Sequence, residues 1–169
     1  MRLLLATAIL SLGAITACST ESKSDAAATP ATSAAATAPA DSAEVILNRH
    51  VAAMKAGDLA AVMADYADNA LVIAPNGIAP GEANVAGFNV FDGKTNISKL
   101  FAVLTNKDNA AGMASMTTTY ENKGSDVTLM RWVQFEGTPK KVSGTDVFVI
   151  RDGKVISQTV LVDAAPAGK

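Results

Sequence analysis

At 169 residues the chain has room for one ordinary domain, and a low-complexity start leaves roughly 125 residues to fold, enough for a hydrophobic core without disulfide staples. A formal net charge of −2, from 14 Lys and Arg scattered among 16 Asp and Glu, supplies no basic field and argues against nucleic acid as a partner. The single cysteine rules out an internal disulfide, and the single histidine has no second His or Cys to share a metal, so neither a metal nor a cofactor is expected.

The chain begins with Arg2 and an apolar run from Leu3 to Leu12, the order of a signal peptide over residues 1–17. The run ends in Ser, Thr and Cys well short of the about 20 apolar residues that a spanning helix needs. The segment Ile15-Thr16-Ala17-Cys18 resembles the bacterial lipobox, with Ile15 standing where leucine is usual. That resemblance implies a diacylglycerol on Cys18 and cleavage that leaves Cys18 as the new N-terminus. Ser19 in place of aspartate implies, by analogy with Gram-negative lipoproteins, an outer-membrane anchor facing the periplasm. Plain secretion through a small-residue cleavage site is the alternative. From Cys18 to Ala40 the chain is mostly Ala, Thr, Ser and Pro with no large apolar residue, so it reads as a disordered tether.

The folded domain is expected over 41–163, followed by a flexible tail at 164–169. Asp41 and Glu44 have the spacing of a capping box, and Leu47, His50, Val51 and Met54 then recur at helical spacing. Gly57 ends this helix, and Asp58 is placed to cap a second one through Ala64. Leu71 to Ala74 reads as a strand stopped by Pro75-Asn-Gly, and a loop rich in Gly, Asn and Pro runs to about Val90. A third helix from Thr95 carries Ile97, Leu100, Phe101 and Leu104 on one stripe. The period then changes to two, with strands expected at Met113–Tyr120, Val127–Phe135, Lys141–Ile150 and Lys154–Val162. Turn signals stand at Asn122-Lys-Gly and Asp152-Gly153. Helices first and an antiparallel sheet afterwards make the fold class α+β.

Four segments carry a wider resemblance: Ala56-Gly57-Asp58-Leu59, Tyr66-Ala67-Asp68-Asn69-Ala70, Phe91-Asp-Gly-Lys-Thr-Asn-Ile and Thr145-Asp-Val-Phe-Val-Ile-Arg-Asp-Gly-Lys-Val. In this order and spacing they resemble the nuclear transport factor 2-like superfamily, and its SnoaL-like branch most of all. The resemblance implies a cone, in which N-terminal helices pack on a curved sheet and a pocket opens at one end. It also implies dimerisation through the open sheet as one mode of assembly. Gly77 to Gly87 would then be a flexible lip at the pocket mouth. The fold hosts isomerases, cyclases, dehydratases, epoxide hydrolases and many non-enzymes, so function has to be argued from the site. Set on this chain, the ketosteroid isomerase pattern puts its tyrosine at His50, its base at Ala74 and its oxyanion aspartate near Ser143. No member of that set is intact.

His50 and Asp146 are the candidate catalytic residues. An imidazole on the apolar face of the first helix could exchange protons near neutral pH, although a core histidine bonded to a neighbouring carbonyl is the plainer reading. Asp146 shares its strand face with Phe148 and Ile150, so it should point inward and need a partner, for which His50 and Arg131 are available. Trp132 is in phase with Met130 and Gln134, and this face suits a ligand wall or a dimer interface. With Met54, these make an expected ligand-binding set of His50, Met54, Met130, Trp132 and Asp146. No nucleophile motif is present, and Cys18 is committed to the anchor. The expected function is a membrane-tethered envelope module that binds a small apolar ligand or a partner; the alternative is an acid/base enzyme of the isomerase or cyclase type using His50 with Asp146.

Overall fold

The structure is a computed structural model that describes residues 41–79, 83–85 and 87–163. The expectations for the signal peptide at 1–17, for Cys18 and the tether through 40, for the tail at 164–169 and for part of the 77–87 lip lie outside the described residues.

Helix α1 spans Ala43–Ala56 and buries Ile46, Leu47, His50, Val51, Ala53 and Met54. Its N-cap is Ser42, whose hydroxyl accepts from the Val45 N–H at 3.3 Å. Asp41 does not take the expected capping role. Arg49 holds its carboxylate at 2.8 Å, a charge-assisted bond that outcompetes a neutral backbone donor. Gly57 closes α1 in the left-handed conformation at φ 71°, with its N–H directed to the Ala53 and Met54 carbonyls. A Cβ there would also stand 3.1 Å from the Thr105 carbonyl oxygen, so glycine is doubly required. Asp58 caps α2, Leu59–Ala64, by accepting from the Ala61 N–H at 2.9 Å, as the sequence predicts.

Strand β1 covers Tyr66–Pro75 and starts five residues before the expected Leu71. It reaches that far because its pairing with the last strand shifts register between Tyr66 and Leu71. The irregularity lets the polar Asp68-Asn69 step stay exposed while Tyr66 and Ala70 are buried. Two short strands, β2 at Ala83–Val85 and β3 at Phe88–Asp92, occupy what was expected to be loop, and β3 pairs antiparallel with β1. Their few residues are too short for a period of two to register in the sequence. Helix α3 runs Gly93–Leu104, two residues ahead of Thr95, and buries Ile97, Leu100 and Phe101 against β1.

A fourth helix, α4 at Ala110–Ser115, replaces the start of the strand expected from Met113. Asn109 ties the segment back to α3 by donating to the Val103 carbonyl at 2.8 Å, and the alanines of α4 favour helix once that turn is closed. Strands β4 (Thr117–Asn122), β5 (Val127–Gln134), β6 (Val142–Arg151) and β7 (Lys154–Val162) follow near their expected limits. Asp152 and Gly153, both with positive φ (49° and 73°), form the two-residue turn between β6 and β7.

The sheet order is β2-β3-β1-β7-β6-β5-β4. Every pair is antiparallel except β1 with β7, so the sheet is mixed, not purely antiparallel as expected. A parallel pair needs a long crossover, and here the whole segment from β2 to β6 supplies it. The α+β class and the curved sheet packed against N-terminal helices agree with the expectation.

Candidate functional site

Alternation along β5 and β6 builds the site. Their register sets Met130 opposite Asp146 and Trp132 opposite Gly144, so one face carries Thr128, Met130, Trp132 and Gln134 beside Gly144, Asp146 and Phe148. Gly144 is what lets the indole lie down. A Cβ there would come within 2.5 Å of Trp132 Cζ2 and would also strike the Leu161 carbonyl oxygen. Lying across Gly144, the indole reaches its diagonal neighbour and donates Nε1–H to Asp146 Oδ1 at 2.8 Å.

The second oxygen of Asp146 is served from the other side. Gln158 on β7 donates Nε2–H to Asp146 Oδ2 at 2.8 Å, and Gln158 Oε1 in turn accepts from the Tyr66 hydroxyl. Asp146 is 5% exposed. Burial pushes its carboxyl up from 3.8 to about 6, against the opposing pull of the bonds from Trp132 and Gln158. The same burial, with the Asp146 and Asp65 charges behind it, holds the Tyr66 phenol well above its ordinary value.

Trp132, Asp146 and Gln158 face a cavity of about 420 Å³. Its wall includes Met54 of α1, Ala74 of β1, Leu100 and Phe101 of α3, and Met113 and Met116 from and beyond α4. Met130, Trp132 and Val160 close it on the sheet side, and Gly77 and Ile78, from the segment expected to be a lip, also line it. Asn109, Gln134 and Gln158 are its uncharged polar side chains. Asp146 is its one ionisable residue among the described residues. The size falls in the range of small-molecule sites, about 300–1,000 Å³, and the lining is mainly apolar with a few convergent polar groups.

Of the five residues singled out in the sequence, Met54, Met130, Trp132 and Asp146 meet in this cavity. His50 does not line it. The imidazole is buried at 1% exposure, edge-on to Tyr66, Phe101 and Phe148 with ring centroids 5.6, 5.4 and 6.1 Å away. Burial drives its pKa down from 6.5 to about 4, so it is neutral at physiological pH. Its Nδ1 has no hydrogen-bond partner and stands 3.8 Å from Oδ2 of the fully buried Asp65. Asp65 is already neutralised by Arg49, whose Nε donates to Oδ1 at 2.8 Å. The expected His50–Asp146 pair is therefore not formed; each residue has other neighbours. Arg131 is no partner for Asp146 either, because one step along β5 turns it to the opposite, exposed face.

Sequence reasoning missed Gln158 as the second donor to Asp146. The available signal was a lone amide in phase with Ile156, Val160 and Val162 on an otherwise apolar strand face. Met113 and Met116 also line the cavity, because the chain there is helical through Ser115 and not a strand from Met113. Among the described residues no group of three or more His, Cys, Asp or Glu is placed to hold a metal ion.

A family model for the SnoaL-like domain matches residues 47–158, more than half of the chain. The chain belongs to the SnoaL-like domain family. Solved structures similar to this SnoaL-like domain agree on the fold. An NTF-2-like protein from Burkholderia xenovorans superposes with a TM-score of 0.54 at 18% identity, covering 75% of this chain and 86% of its own. A protein from Sphaerobacter thermophilus gives 0.53 at 14% identity over 73% of this chain and 98% of its own. A de novo designed protein with a curved β-sheet gives 0.53 at 15% identity, over 71% and 84% respectively. Identities this low speak to architecture alone, and so does the success of a designed sequence in the same fold. No curated protein sequence matches the chain.

Proposed function

We propose that this SnoaL-like domain is a cell-envelope binding module that holds a small, largely apolar ligand in the cavity between α1, α3, α4 and the sheet. The observation that carries this reading is the cavity of about 420 Å³ walled by methionine, leucine, phenylalanine and tryptophan around one buried carboxylate. Methionine walls adapt to varied shapes, which suits a binding role. A catalytic reading would rest on Asp146 alone, whose pKa of about 6 suits proton transfer near neutral pH. Without His50 beside it, and with no second ionisable group among the described cavity residues, binding is the stronger reading.

The tether part of the proposal rests on Ile15-Thr16-Ala17-Cys18 and on Ser19, which favour lipid on Cys18 and the outer membrane facing the periplasm. A diacylglycerol brings two chains at roughly 0.8 kcal/mol per buried CH₂, enough for lasting attachment. Cys18→Ser should move the chain from the membrane pellet to the soluble fraction and abolish fatty-acid labelling. Unchanged sedimentation with the membrane would remove the anchor from the proposal.

For the cavity, the neutral probe N-phenyl-1-naphthylamine should bind the full-length chain saturably. Binding is read by energy transfer from Trp132, the only tryptophan. Ala74→Leu fills space from β1 and should weaken binding about tenfold or more while the circular dichroism spectrum is kept. Binding that does not saturate, or that ignores Ala74→Leu, would overturn the cavity as the site.

A further inference from the structure

Among the described residues Asp146 has no counterion. Its two bonded partners, Trp132 Nε1–H and Gln158 Nε2–H, are both neutral, and no Lys, Arg or His among the described residues forms an ion pair with it. One N–H on each oxygen leaves acceptor capacity unused on both, and Asp146 lines the cavity. A buried carboxylate is costly unless it is paired, and elsewhere this domain obeys that rule: Arg49 covers the fully buried Asp65 at 2.7 Å.

The surroundings also select the sign of what completes the site. An anionic ligand would meet the carboxylate head-on. A neutral one would return at most a hydrogen bond and would leave the charge unpaired. A protonated amine would supply the missing charge, in a wall shared with the Trp132 indole that donates to Asp146 and with Met130, its cross-strand neighbour. The remaining wall is hydrocarbon and wants an apolar body.

We propose that the cavity takes a lipophilic amine, its ammonium group paired with Asp146 and its hydrocarbon body against the methionine wall. This rests on the cavity being a ligand site and adds the charge of the ligand.

The groups packed around Asp146 leave the pH dependence to Asp146 itself. From β5 it meets Trp132 and Met130, and from β7 Gln158 and Val160, none of them ionisable. From β1 the Tyr66 phenol, neutral through burial, stands behind Gln158. From α1, His50 is neutral and packs on Tyr66, and Asp65 beyond it is held by Arg49.

The test compares decylamine, decanol and decanoate, below their micelle concentrations, on the full-length chain by Trp132 fluorescence and by displacement of N-phenyl-1-naphthylamine. Near pH 8 decylamine should bind about tenfold or more tighter than decanol, with decanoate weakest. As the pH falls through about 6, Asp146 takes a proton, so decylamine should weaken while decanol holds or tightens. Asp146→Asn should level decylamine with decanol and remove the pH dependence. If Asp146→Asn does not fold, the pH series on the unaltered chain decides by itself. Decanol binding as well as decylamine near pH 8 would overturn the amine while leaving the cavity a ligand site. If neither the three probes nor N-phenyl-1-naphthylamine binds, the ligand site itself fails and the amine with it.

Discussion

Asp146 owes its character to residues that never touch it in sequence. Gly144 clears space, Trp132 lies down into it, and Gln158 closes from the next strand. The clearest prediction at this scale concerns Gly144, whose φ is ordinary but whose missing Cβ is occupied by the indole and the Leu161 carbonyl. Gly144→Ala should destabilise the domain by about 1–3 kcal/mol through overpacking, and should shift the Trp132 emission as the ring is pushed off Asp146. Urea unfolding with an unchanged midpoint and an unchanged emission maximum would show that the indole does not depend on that space. The inward direction of Asp146 was legible from strand alternation, whereas alternation put Met130 and Trp132 only on a face that suits a ligand wall or a dimer interface. The pairing of Asp146 was not, because its donors come from diagonal positions on two other strands, and only registry decides which diagonal is near.

Among the elements, those with a strong local signal lie where the sequence puts them. α2 is a six-residue helix that could not persist alone, and its start depends on the Asp58 cap. Asp58→Ala should cost about 1 kcal/mol, seen as a lower urea midpoint with an unchanged slope. A change in slope would mean that the cap shapes more than the helix start. The elements that were misread lack local signals of this kind. β2 and β3 are short, and α4 is a six-residue segment too short to establish a helical period of its own. At α1 the misreading was of a different sort. Asp41 and Ser42 are both good caps, and the choice fell to Arg49, two turns along the helix, which claims Asp41.

For the domain as a whole, two buried ionisable groups oppose each other. His50 titrates at about 4 when folded and 6.5 when unfolded, so the unfolded chain binds more protons between those values. Its contribution to stability is present above 6.5 and is lost as the pH falls toward 4. Asp146 titrates at about 6 when folded and 3.8 when unfolded, so here the folded chain binds more protons, and stability is gained as the pH falls across nearly the same window. At 1.36 kcal/mol per unit each slope amounts to about 3 kcal/mol, and the two largely cancel. Asp146→Asn should therefore uncover the His50 slope and make the domain lose about 3 kcal/mol more than the unaltered chain between about pH 6.5 and 4. His50→Gln should do the reverse. Urea unfolding across that range checks both, and comparison with the unaltered chain subtracts the remaining carboxylates. Parallel stability profiles for the two variants would show that these groups do not oppose each other.

The sequence by itself determined the α+β class, the order of the main helices and strands, the turn at Asp152-Gly153 and which face of β6 looks inward. Those follow from periodicity, caps and positive-φ residues, all of which act within a few positions of the chain. Only the tertiary structure decided that β7 lies parallel to β1, that His50 is sealed among Tyr66, Phe101 and Phe148, and that Asp146 faces the cavity with two neutral donors and no cation among the described residues. The reason is that burial and charge pairing are sums over neighbours far apart in sequence. His50 and Asp146 look alike as inward-facing ionisable residues, and folding gives one an aromatic cage and the other a place at the cavity wall.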